Sequence, residues 1–181
     1  MFVEATVGIG AGMLAGSVAL VGFGADSVIE LFSSAVLIWR LRAGSVGERR
    51  ERQALRLVGW SFVALAVYVA FEAAGDLILR RAPEASYAGI ALAAVALVAM
   101  PILARAKRRV AAGLRSDAMR ADSRQTDFCA WLAGILLAGL ALNARFQWWW
   151  ADPAAAFLMV PVIVREAIRV FRGEACCECG E

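Results

Sequence analysis

Apolar runs of about twenty residues, the length that crosses a bilayer as a helix, recur six times along this chain, and nothing else in it constrains the fold as much. Lipid offers no partner to a backbone N–H or C=O, so each run must satisfy its own as an α-helix. The runs predict helices over 3–21, 25–42, 57–79, 87–106, 116–143 and 152–171, with Gly22, Phe23 and Gly24 forming the first turn. Residues 43–56, rich in Arg, read as a solvated loop, and Pro101 falls late in the fourth helix. Composition agrees: 61% of the 181 residues are hydrophobic, against roughly 45–50% in soluble domains. No polar stretch is long enough to bury a core of its own. The expectation is an all-α, multi-pass membrane protein. Residues 1–172 form one six-helix transmembrane domain, and 173–181 a Cys-rich tail.

Charge sets the orientation. Arg and Lys crowd the second-to-third and fourth-to-fifth connections and the end of the sixth helix, while the third-to-fourth connection holds only Arg80 and Arg81 and the fifth-to-sixth only Arg145. Basic connections stay in the cytoplasm, which puts both termini inside and the aromatic run Phe146, Trp148, Trp149 and Trp150 at the outer interface. The net charge of +3 therefore follows membrane topology and does not build a nucleic-acid patch. Met1 leads into apolar sequence without a basic leader or a small-residue cleavage site, so the first helix reads as retained. Such a chain belongs in the inner or plasma membrane of a cell.

Two acids stand inside the second helix. Asp26 and Glu30 are four residues apart, so they share a face. A carboxylate in hydrocarbon costs roughly 2.5–3.5 kcal/mol on insertion scales, and two on one face repel. Nothing basic is adjacent in the sequence. A bound cation or protons would relieve the conflict, as would interfacial water at a helix end.

The fifth helix is polar in its first half. Asp122, Gln125 and Cys129 lie at offsets of three, four and seven and form one stripe, from which Asp127 points away. With Asp26 and Glu30 they would offer carboxylate, amide oxygen and thiolate to a divalent cation. That mixture suits Zn²⁺ or a similar borderline metal better than Mg²⁺ or Ca²⁺. Gln125 and Cys129 also fit a plain packing role, since buried Cys behaves as a small hydrophobe. The third helix repeats the acidic spacing with Glu72 and Asp76, a possible second station for protons. Asp76 is near the helix end and reads as facing water, whereas Glu72 reads as the deeper of the two. The chain has no His, and no nucleophile–base pair points to an enzyme.

The residues of helices two and five resemble the transmembrane domain of the cation diffusion facilitator superfamily. Its helix-two pattern Asp-x-x-x-Asp corresponds to Asp26-Ser27-Val28-Ile29-Glu30, with Glu for the second Asp. Its helix-five pattern Ala-Asp-Ala-x-His-x-x-x-Asp corresponds to Ala121-Asp122-Ser123-Arg124-Gln125-Thr126-Asp127-Phe128-Cys129, with Gln for His and Cys for the last Asp. The resemblance implies six helices with cytoplasmic ends, a homodimer, and alternating access. It also implies divalent metal as cargo, protons as the exchanged partner, and no permanently bound cofactor. The family's cytoplasmic metal-binding domain has no counterpart here, so the chain is similar to a branch made of the transmembrane domain alone. A membrane protein that binds or senses metal without moving it remains the alternative.

The tail carries Cys176, Cys177 and Cys179 among Glu174, Glu178 and Glu181. It fits loose metal capture at the cytoplasmic mouth, a palmitoylated anchor, or an idle end.

Overall fold

A computed structural model describes the backbone of residues 1–43, 48–81, 83–114 and 117–172, and the side chains of 1–35, 56–81, 83–113 and 123–172. Among the described residues the regular structure is helical throughout: α1 (Phe2–Ala15), α2 (Val18–Ala43), α3 (Glu48–Leu79), α4 (Tyr87–Leu114), α5 (Asp117–Phe146) and α6 (Ala151–Phe171). α2, α3, α4 and α5 each hold a stretch long and apolar enough to cross a membrane. α1 is apolar but has 14 residues, about 21 Å at the helical rise. α6 has 21 residues, about 31 Å, and carries Arg165, Glu166 and Arg169 in its second half.

The helices pack chiefly in pairs: α1 on α2, α4 on α5, and α3 on α6. Phe23, Phe62, Leu132, Leu136, Met159 and Ile163, drawn from α2, α3, α5 and α6, are fully buried where the pairs meet.

The first turn is not at Gly22, Phe23 and Gly24, which lie within α2. It comes earlier, at Gly16 and Ser17. Gly16 ends α1 in the left-handed conformation (φ 65°) that glycine adopts without a Cβ penalty, and its N–H returns to the Gly12 carbonyl. Gly24 serves a different purpose. A Cβ there would lie 2.6 Å from the Ile9 nitrogen, and one on Gly8 would lie 2.9 Å from the Gly24 Cα. The two helices touch backbone to backbone, the contact that small residues permit in lipid.

Two further boundaries differ from the sequence reading. The expected loop over 43–56 is in large part helix: α2 runs to Ala43 and α3 opens at Glu48. Glu, Arg, Gln, Ala and Leu are good helix formers, and Glu48 and Arg52 stand at the favourable i, i+4 spacing. For the same reason α4 continues past Ala106 to Leu114, with Pro101 inside it. Hydrophobicity marks where lipid ends, not where a helix ends.

α2 is anchored by a group from the far end of the chain. Asp152, in the first turn of α6, is fully buried. Its Oδ1 accepts a 2.5 Å bond from the Ser17 hydroxyl, and its Oδ2 accepts the Ala19 N–H at 3.4 Å. Ser17 Oγ in turn accepts the Leu20 N–H at 3.1 Å. The exposed donors of a helix start, and the positive end of its dipole, thus meet a serine cap and a carboxylate. Asp152→Ala leaves buried donors without an acceptor. It should lower the stability of the purified protein by roughly 2–4 kcal/mol, read as an earlier thermal melt in detergent. An unchanged melt would show that the cap contributes nothing.

Candidate functional site

Asp26 and Glu30 project from α2 toward α5 with 1% and 0% of their surface exposed. They meet Cys129, whose Sγ lies 3.2 Å from Asp26 Oδ2 and 3.1 Å from Glu30 Oε2, within S–H···O reach of both. One helical turn earlier on α5, the Thr126 hydroxyl donates to Glu30 Oε1 at 3.2 Å. Gln125 is buried on the same side and accepts a 3.4 Å bond from Ser33 of α2. The α2 face at 26, 30 and 33 therefore lies against the α5 face at 125, 126 and 129. Gln125 and Cys129 of the α5 stripe thus lie beside the i, i+4 pair of α2.

Among the described residues the Asp26 Oδ1 and Gln125 Nε2 atoms are buried without a hydrogen-bond partner. A buried carboxylate oxygen left bare is costly. As it stands, the cluster is closed on the thiol, and no three Cys, Asp or Glu side chains among the described residues form a ready-made cation cage. A tetrahedral ion with Zn–S near 2.3 Å and Zn–O near 2.1 Å holds sulfur and oxygen roughly 3.6 Å apart. Each thiol–carboxylate contact would have to open by only a few tenths of an ångström.

Other expected site residues are not among these. The Asp122 side chain lies outside the described residues, as do Cys176, Cys177 and Cys179. Asp127 points away from the cluster, as its spacing requires, and pairs with Arg108 of α4. Glu72 and Asp76 line a separate cavity of about 340 Å³ with Tyr68 and Arg81. Their expected depths are reversed: Glu72 is half-buried, while Asp76 is 5% exposed and 3.8 Å from Arg81. The reason lies in the chain after α3, which turns back so that Arg81 covers the last turn; the Arg81 N–H bonds to the Asp76 carbonyl.

Two residues of the cluster escape the sequence reading. Thr126 lies four residues after Asp122 and three before Cys129, so the stripe includes it. Lys107 of α4 reaches in with Nζ 2.8 Å from Thr126 Oγ1 and 3.9 Å from Glu30 Oε1. Placing it in a loop hides it. Once α4 is carried to Leu114, Lys107 falls on a buried stripe with Met100, Ala104 and Ala111.

A family model described as the cation efflux transmembrane domain matches residues 1–174. No curated protein matches the chain.

Proposed function

We propose that this chain, which belongs to the cation efflux family, exports a divalent transition-metal cation such as zinc through the Asp26–Glu30–Cys129 cluster in exchange for protons. Family membership makes it an integral multi-pass membrane protein that transports cations, and not an enzyme. The observation that carries the finer reading is the bare Asp26 Oδ1 beside the Glu30 carboxyl and the Cys129 thiol, buried inside the bundle.

The chemistry of the donor set supports the rest. A thiolate with two carboxylates favours a borderline metal over Mg²⁺ or Ca²⁺. Donors must be deprotonated to bind metal, so protons and metal compete for the same atoms. An acidic side therefore strips the metal, and a proton gradient drives it the other way. Residues 1–172 act as the transport domain. The Arg bias of the connections supports cytoplasmic termini. The donors come from two helices that belong to different packing pairs, which suits a site opened alternately to either side.

The test is zinc flux into proteoliposomes, followed with an entrapped fluorescent indicator. An acidic lumen should accelerate uptake several-fold over equal pH, and a protonophore should cancel the gain. Saturable binding in detergent with no flux in vesicles would favour a metal-binding protein that does not transport.

A further inference from the structure

Among the 19 Lys and Arg residues of this chain one is lysine, and it is Lys107 at the cluster. Its ammonium stands 2.8 Å from the Thr126 hydroxyl, which itself bonds Glu30 Oε1 at 3.2 Å. The side chain keeps 19% of its surface exposed, so the stem lies between the buried carboxylate and the edge of the bundle. Beyond it Arg108 and Arg109 are exposed. The two side chains differ in what they can do. A guanidinium clamps a carboxylate through a rigid fork, whereas an ammonium is a compact charge on a flexible four-carbon stem. Such a stem can carry its charge from a buried position to the polar edge of a membrane.

Starting from the proposed metal transport, we propose that Lys107 is the resident counter-cation of the empty site. Its ammonium balances Glu30 when no metal is bound. It withdraws along α4 when a divalent ion arrives, since two cations on one carboxylate repel. It returns as the ion leaves. Lys107 thus sets metal affinity by competition and assists release without being a ligand. It answers the conflict posed by two buried acids with nothing basic beside them in sequence.

The competition makes opposite predictions for two substitutions. Lys107→Gln removes the competitor, so zinc titrated into the purified full-length protein should bind at least about tenfold tighter. In proteoliposomes the same variant should show a lower KM together with a lower maximal rate, because release is slowed. Lys107→Arg should bind zinc more weakly than the wild type, because the fork holds Glu30 more firmly. A lysine that merely packs α4 against the bundle would lower the melting temperature in both variants and tighten binding in neither.

Labelling provides a second measurement that needs no variant. The single side-chain amine can be modified by an amine-reactive reagent and quantified against the N-terminal amine. Saturating zinc should raise Lys107 labelling several-fold in the wild-type protein, and unchanged labelling overturns the inference. Wild-type binding with Lys107→Gln unchanged or weaker overturns this inference alone. No saturable zinc binding by the wild type would overturn the transport reading as well.

Discussion

Asp26→Asn should abolish metal flux and leave the fold at least as stable as before. The amide keeps the shape of the carboxyl, and its oxygen can still accept the Cys129 thiol that lies 3.2 Å from Asp26 Oδ2. What it lacks is the charge that draws a divalent cation into a dry site. The same charge costs roughly 2.5–3.5 kcal/mol to hold in hydrocarbon, so neutralising it relieves the bundle. Activity and stability should therefore move in opposite directions. Flux in proteoliposomes should fall to the level of protein-free vesicles, and the thermal midpoint in detergent should hold or rise. Undiminished flux would remove Asp26 from the transport path. A falling midpoint would instead mark Asp26 as a scaffold residue.

Cys129→Ser tests which metal the site favours. The substitution exchanges a soft donor for a hard one of similar shape between the same two carboxylates. Cadmium and zinc affinity should drop by more than the roughly 10–100-fold that follows loss of a group merely supporting a ligand. Manganese, which prefers oxygen donors, should be affected least. Competition titrations with the three ions read the order directly. An equal small loss for all three would mean that the thiol lines the site without ligating.

Much of this arrangement is legible in the sequence, and what is not has physical causes. The number and order of helices follow from lipid, which permits no other backbone for apolar runs of this length. The meeting of Asp26 and Glu30 with Cys129 follows from i, i+4 geometry on two helices, once those helices are adjacent. The adjacency itself came from a family resemblance, because periodicity within one helix carries no information about its neighbour. Glycine marks both turns and close helix contacts; Gly22 and Gly24 mark contact, while Gly16 marks the turn. Composition does not reveal Lys107, because a charged helical end and a charged loop have the same composition. Nothing near Asp152 in sequence marks it as a cap for α2, because its partners, Ser17 and Ala19, lie more than 130 residues away.

The pairing of helices gives the cluster a mechanical meaning. α2 rests on α1, and α5 rests on α4, so Asp26 and Glu30 belong to one packing unit and Cys129 to another. A cation seated among them would be bonded across the seam and act as a rivet between the two units. Without it they are joined there by thiol and hydroxyl hydrogen bonds and by the Lys107–Glu30 ion pair, each weaker than a metal–thiolate bond. The stiffness of that seam would then be set by cargo, so a loaded protein and an empty one would differ in how freely their halves can shift even where their shapes agree.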